Sequence, residues 1–121
     1  MDFKERLDLY QEGGMITSLD RSQIEEVIKV FADKYGYMLE EENAASFIAH
    51  LCAALSRTVS GESIEPVSEE IMAEIRGLAS YPKSLDMLED VVSVTSERLD
   101  AIERDYALLH INNLIVSIDG Q

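Results

Sequence analysis

The 121-residue chain contains few of the features that mark secreted or membrane proteins. It has one cysteine, Cys52, which cannot form an internal disulfide, and it has no tryptophan and two prolines. No apolar run reaches the roughly eighteen residues that a membrane-spanning helix needs. Residues 1–6 carry neither the basic nor the apolar segment of a secretory signal. We therefore expect a cytoplasmic protein with no membrane association.

Basic residues are also scarce. The chain has ten Lys and Arg residues and 24 Asp and Glu residues, so the formal net charge is −14. This charge opposes a phosphate backbone, which disfavours direct binding to nucleic acid, and it favours a protein partner with a basic rim. At 46% hydrophobic residues the composition is typical of a folded domain rather than a disordered chain, and the length matches one domain.

Apolar residues recur at helical spacing in segments separated by Gly, Pro or Ser, and strand signals are nearly absent. The pattern predicts an all-α protein, a compact bundle of about five to six helices. We expect residues 1–18 to form an N-terminal helical extension and residues 19–121 to form a single helical domain. The predicted helices run from about Asp2 to Glu12, from Asp20 or Ser22 to Tyr35, from Glu41–Asn43 to Arg57 or Ser60, from Ser68 through Leu78 to an end at Tyr81-Pro82, from Ser84 to Leu99, and from about Arg104 to Ser117.

Two further expectations concern the second half of the chain. A residue before proline is pushed out of the α region, so we expect Tyr81 to be extended and Ser84 to cap the fifth helix. The last helix is apolar on more than one side, which is typical of a central helix.

The two histidines of the chain, His50 and His110, each lie in an amphipathic segment. On a helix, residues three, four and seven positions apart share one face. One such face of the third helix carries Asn43, Ser46, His50 and Arg57. The corresponding face of the last helix carries Glu103, Tyr106, His110, Asn113 and Ser117. If these two helices are neighbours, the two polar stripes can face each other.

Phosphoryl transfer is one chemistry that fits these residues. A histidine that accepts a phosphoryl group needs a neutral, partly exposed nitrogen, and nearby positive charge must hold the phosphoryl oxygens. The guanidinium of Arg57 has the required fork geometry. The spacing alone fits an alternative better, in which His50 and His110 are half-buried packing residues and Arg57 forms a surface ion pair.

Other chemistries have less support. Zinc or iron binding is a minor alternative, because the chain has no His-Glu-x-x-His motif, and Phe47 and Ala107 stand where a di-iron bundle places glutamates. A catalytic Ser/His/Asp set and a phosphate-binding glycine loop lack support as well. Cys52 is interpreted as a buried structural thiol. We expect no enzyme activity, no cofactor and no metal site.

Three segments, taken in order, resemble a known family. They are Phe47-Ile48-Ala49-His50-Leu51-Cys52-Ala53-Ala54-Leu55-Ser56-Arg57, the Tyr81-Pro82 step, and Glu103-Arg104-Asp105-Tyr106-Ala107-Leu108-Leu109-His110-Ile111. Together they are similar to the PTS regulation domain (PRD), and the resemblance covers about Leu19 to Ile115. It implies a bundle of about five helices that often dimerises and whose histidines are phosphorylated by the bacterial phosphoenolpyruvate:sugar phosphotransferase system.

Carried over by position, the resemblance implies that His50 and His110 are phosphoacceptors and that Arg57 is the motif arginine. Asn43, Ser46, Glu103, Tyr106 and Asn113 would support them. The phosphoryl donor would be a phosphocarrier protein or a sugar-specific phosphotransferase component. Typical members carry two such domains behind an RNA-binding or DNA-binding domain, whereas this chain has one copy, so we expect a stand-alone homodimer that acts through an unidentified regulatory partner.

One departure from the family pattern leaves an alternative open. The surroundings of His50 are apolar and rich in alanine, with no acidic residue immediately before it. A constitutive dimerisation or adaptor module, with the same fold and no phosphotransfer, would have the same helices.

Overall fold

The structure is a computed structural model that describes residues 3–120, a range that contains helices and no strand. The helices are α1 (Phe3–Glu12), α2 (Ser18–Tyr35), α3 (Glu41–Ser60), α4 (Glu69–Arg76), α5 (Tyr81–Val94) and α6 (Ala101–Asp119). They confirm the predicted all-α bundle. Met1, Asp2 and Gln121, where some predicted boundaries fall, lie outside the described residues. None of the described helices is long and apolar enough to cross a bilayer.

The start of α2 is set by a capping box. Thr17 Oγ1 accepts a hydrogen bond from the backbone N–H of Asp20 at 3.1 Å, and Asp20 Oδ2 accepts one from the backbone N–H of Thr17 at 2.9 Å. These bonds satisfy two N–H groups that a helix start otherwise leaves unpaired. The predicted start at Asp20 or Ser22 was therefore too late. Gly36, in the left-handed conformation at φ 73°, ends the helix as expected.

The start of α5 differs from the prediction. Tyr81 is helical rather than extended, and Pro82 lies in the first turn, where its missing N–H removes no intrahelical hydrogen bond. Ser84 does not cap the helix. It is fully buried, and its hydroxyl donates to the carbonyl of Tyr81 at 2.7 Å. Ser80 occupies the cap position instead, without a side-chain cap bond.

The end of α5 was also predicted wrongly. The helix ends at Val94 rather than continuing to Leu99. Ser96 and Glu97 follow with positive φ angles of 56° and 59°, which turn the chain out of the helix. Leu99 is nevertheless 1% exposed, because the turn returns it to the core. The helix end was predicted too late because the apolar residues keep their helical spacing up to Leu99, although the backbone leaves the helix after Val94.

The neighbouring helices α4 and α6 each have one end that differs from the predicted position. α4 ends at Arg76, and Leu78 lies beyond it as an exposed residue. α6 begins at Ala101 rather than near Arg104, since Asp100 Oδ1 accepts a hydrogen bond from the backbone N–H of the third helical residue at 2.8 Å.

The core lies between α2, α3, α5 and α6. The rings of Phe31 and Phe47 stack with centroids 5.7 Å apart at its centre. Other fully buried side chains around them are Ile24, Ile48, Leu51, Leu55, Met87, Ile111 and Leu114. α6 packs against α3, α4 and α5, which explains its apolar character on several sides.

The first helix belongs to the same apolar cluster. α1 contributes Phe3 and Leu7 to the core formed by the other helices. Ion pairs from Arg6 to Glu41 and from Arg21 to Asp8 add polar ties from α1 to α3 and α2. The helix within the predicted extension 1–18 is therefore packed on the rest of the bundle.

Candidate functional site

The two histidines meet between α3 and α6. His50 lies in the middle of α3 and His110 in the middle of α6, and these helices pack against each other. The imidazole rings stack with centroids 5.0 Å apart and planes inclined by 24°. The structure thus brings the two polar stripes of the sequence together at their histidines.

Small residues surround this crossing. Ala54 lies one turn after His50 on α3, and Ala107 lies one turn before His110 on α6, and both alanines are fully buried. A buried methyl group occupies little space between helices, so larger side chains next to it can come closer. The alanine-rich environment of His50 is therefore compatible with the stacking of the two imidazoles.

Burial keeps both imidazoles neutral. It lowers the pKa of His50 to about 4, with a second contribution from the positive charge that His110 can carry, while Glu103 opposes the shift. Burial also lowers the pKa of His110. Nε2 of His50 is enclosed, and no group of residues 3–120 completes a hydrogen bond to it. Near neutral pH the site therefore contains two stacked uncharged imidazoles.

Arg57 on α3 is paired with Glu103 on α6. Its Nε donates to Oε2 of Glu103 at 2.5 Å, and its Nη2 donates to Oε1 at 3.0 Å. The Glu103 side chain is 5% exposed and that of Arg57 is 20% exposed. Hydrogen bonding to the carboxylate raises the pKa of Arg57. The arginine fork predicted to hold phosphoryl oxygens is thus occupied by the two oxygens of a carboxylate, which match it in the same bidentate way.

Tyr106 forms one wall of the histidine pair. Its ring centroid lies 5.9 Å from that of His50, and its hydroxyl donates to the backbone carbonyl of Glu65 at 2.8 Å. This hydrogen bond ties α6 to the connection between α3 and α4. Tyr106 thus lies beside His50 and on the side of α6 that carries His110.

Three other predicted supporting residues lie on α3 and α6 without a hydrogen bond to an imidazole of residues 3–120. Asn43 belongs to the start of α3, where its Oδ1 accepts a hydrogen bond from the backbone N–H of Glu40 at 2.9 Å. It is two helical turns, about 10 Å, from His50. Ser46 and Asn113 are exposed on α3 and α6, and neither forms a hydrogen bond to an imidazole within residues 3–120. Of the predicted supporting residues, Glu103 pairs with Arg57 and Tyr106 lies beside His50.

Arg98 is a further site residue that was not foreseen from the sequence. Its guanidinium donates to Gln23 at 2.7 Å, to Asp20 at 2.8 Å and to the Thr58 hydroxyl at 3.1 Å. Together with Arg57 it lines a polar surface pocket of about 240 Å³. No spacing in the sequence signals the contacts of this arginine with α2.

The surroundings of Cys52 and of the acidic and histidine side chains bear on two other kinds of site, a reactive thiol and a metal site. Cys52 is fully buried, and burial raises the pKa of its thiol to about 12, so the thiol is protonated near neutral pH. Across residues 3–120, no three His, Cys, Asp or Glu side chains come together in a way that holds a metal ion.

Comparison with known proteins adds one relative. No protein-family model matches the chain, and no solved structure matches it. The chain is similar to the uncharacterized protein YhfY of Escherichia coli strain K12, with 23% identity over 109 residues. The match covers 90% of this chain and 91% of that protein, so the similarity extends over nearly all of both.

Proposed function

We propose that this protein is a PRD-like regulatory domain that responds to phosphorylation by the bacterial phosphoenolpyruvate:sugar phosphotransferase system. The observation that carries the proposal is the stacking of His50 on His110, with centroids 5.0 Å apart, beside the bidentate pair of Arg57 and Glu103. In this function the protein accepts a phosphoryl group in the cytoplasm and passes the signal to a partner protein. It is a substrate of phosphotransfer rather than an enzyme.

The protonation state of the histidines supports this proposal. A phosphoryl group can be accepted only by an imidazole nitrogen with a free lone pair, which a protonated imidazole lacks. Burial lowers the pKa of both His50 and His110 below the ordinary value, so both rings are neutral near neutral pH. The phosphoryl donor in the proposal is a phosphocarrier protein or a sugar-specific phosphotransferase component.

The Arg57–Glu103 pair supplies a way to transmit the signal. A phosphoryl group adds nearly two negative charges and three acceptor oxygens. Beside His50 or His110 it would repel the Glu103 carboxylate and compete with it for the Arg57 guanidinium. Because this pair joins α3 to α6, its exchange changes how the two helices are held. In the proposed homodimer, this change shifts the balance between two packings.

A second function, a constitutive dimerisation or adaptor module, is favoured by a specific observation. Nε2 of His50 is enclosed and has no hydrogen-bond partner among residues 3–120, and Glu103 already neutralises the charge of Arg57. Both features also suit a packed interior that never receives phosphate. In that function His50 and His110 contribute only to packing between α3 and α6.

Incubation with phosphoenolpyruvate and the general phosphotransferase proteins separates the two functions. The regulatory domain gains an acid-labile phosphoryl group, and His50→Ala or His110→Ala abolishes that gain. The adaptor gains none, and its partner binding is unchanged by phosphoenolpyruvate. Intact-mass spectrometry at neutral or alkaline pH reads the result without hydrolysing phosphohistidine.

A further inference from the structure

A groove lies along the edge of α5 beside its core-facing side, next to the turn that leads into α6. Its volume is about 490 Å³. The apolar side chains in its lining are Leu85, Leu88 and Val92 of α5. The charged ones are Glu89, Glu97 and Arg104.

α5 carries more apolar surface than the core uses. Met87 and Val91 are fully buried in the core. A second row, made by Leu85, Leu88 and Val92, runs beside them at helical spacing and is only partly covered, with Leu85 36% exposed. A helix whose apolar face is wider than its packed face has apolar surface left for another contact.

The shape of this row fits a helix. Its three apolar residues all belong to one edge of α5, from Leu85 to Val92, a distance of about 10 Å along the helix axis. This is about two helical turns. A partner helix can place apolar residues three, four and seven positions apart along such a strip.

The charges around the strip favour a basic partner. Glu89 and Glu97 line the groove, and Asp86 is an exposed neighbour on α5. Arg104 is the lining's basic residue, and its Nε donates to the carbonyl of Leu99 at 2.8 Å. A second copy of the chain would bring the same acidic lining against this surface.

We propose that this groove is a docking site for a basic amphipathic helix of a partner protein. The apolar face of that helix covers the row from Leu85 to Val92, and its Lys or Arg side chains contact Glu89 and Glu97. The proposal does not depend on phosphorylation of the histidines, so either one can fail without the other.

The test uses a synthetic amphipathic helix of about 14 residues, with leucines along one face and lysines along the other. A peptide of the same composition in scrambled order controls for plain charge attraction. Titration calorimetry at about 0.15 M salt, where long-range attraction is screened, measures affinity, and NMR shift changes locate the contact. We expect the helical peptide to bind at least tenfold more tightly than the scrambled one and to shift signals of Leu85, Leu88 and Val92.

Substitutions in and outside the groove lining test whether the peptide binds at this surface. Leu85→Asp is expected to weaken binding at least tenfold, whereas Leu78→Asp, at a similarly exposed leucine outside the groove lining, leaves it unchanged. Glu97→Lys is expected to weaken binding about threefold. Equal binding of both peptides, no binding, or shifts confined to another surface would overturn the proposal. A homodimer in sedimentation that Leu85→Asp dissociates would also overturn it, because a second copy would then occupy the groove.

Discussion

The Arg57 guanidinium on α3 donates two hydrogen bonds to the Glu103 carboxylate on α6, and the carboxylate is the more deeply buried of the two groups. The pair joins the two helices that bring the histidines together. Its energetic role follows from the difference in burial. Without Arg57, a carboxylate would remain in the interior with no cation, whereas without Glu103 the arginine keeps some contact with water.

Removal of Arg57 is therefore expected to cost more than removal of Glu103. We expect Arg57→Leu to lower the free energy of unfolding by about 3 kcal/mol, Glu103→Leu to lower it by less, and the double variant to lose less than the sum of the two. Denaturant unfolding measures all three.

The exposed pair Arg76–Glu69 provides a matched control. Its side chains are 48% and 79% exposed, so Arg76→Leu should change the free energy of unfolding by less than about 1 kcal/mol. Equal losses for Arg57→Leu and Arg76→Leu would contradict a structural role of the buried pair.

The stability of the protein should depend on the protonation of His50. Its pKa is about 4 in the folded protein and 6.5 ordinarily, so as the pH falls the unfolded chain takes up the proton first. The stabilisation is fully present above pH 6.5 and is lost as the pH falls towards 4. From about pH 7 to about pH 5 we expect a loss of about 2 kcal/mol from this residue.

His50→Gln isolates that contribution, because glutamine does not titrate and the carboxylates titrate in both proteins. The free energy of unfolding of each protein is measured at the two pH values. The variant should show a smaller loss than the wild type between them. The same loss in both proteins would show that His50 does not have the lowered pKa.

Replacing Ser96 by glycine in the turn after α5 is expected to stabilise the protein. Ser96 has a φ of 56°, a left-handed conformation that costs an L-residue with a side chain about 1 kcal/mol and costs glycine almost nothing. Ser96→Gly should therefore raise the free energy of unfolding by about 0.5 kcal/mol. Thermal or denaturant unfolding measures the change.

Ser46→Gly is the comparison at an exposed serine within α3. There glycine loosens a helical segment and should lower stability by about 0.5 to 1 kcal/mol. A loss of stability in Ser96→Gly like that in Ser46→Gly would mean that the turn is not strained.

Much of the fold could be predicted from local sequence signals. The bounds of α3 were foreseen because its apolar spacing is regular and Gly61 ends it at a φ of 79°. The end of α5 was not, because the apolar spacing continues to Leu99 while the backbone reverses at Ser96 and Glu97. The spacing of apolar residues indicates which side chains are buried, and a residue in a loop can be buried as deeply as one in a helix.

The candidate site was predictable in part. The spacing around His50 and His110 showed that their polar stripes could face each other if the two helices were neighbours, and the packing of α3 on α6 sets their separation. The partner of Arg57 could not be predicted from spacing, since Glu103 is distant in sequence. Arg98 was missed for the same reason, because its partners Asp20 and Gln23 belong to α2.

Intact-mass spectrometry detects whether a histidine of the stacked pair His50 and His110 accepts a phosphoryl group. Wild-type protein, His50→Ala and His110→Ala are incubated with phosphoenolpyruvate and the general phosphotransferase proteins, and a known acceptor confirms that the donor is active. We expect a mass gain of one phosphoryl group in the wild type that is lost in at least one variant. No gain in the wild type with an active donor, or a gain that survives in both variants, would show that neither histidine is a phosphoacceptor.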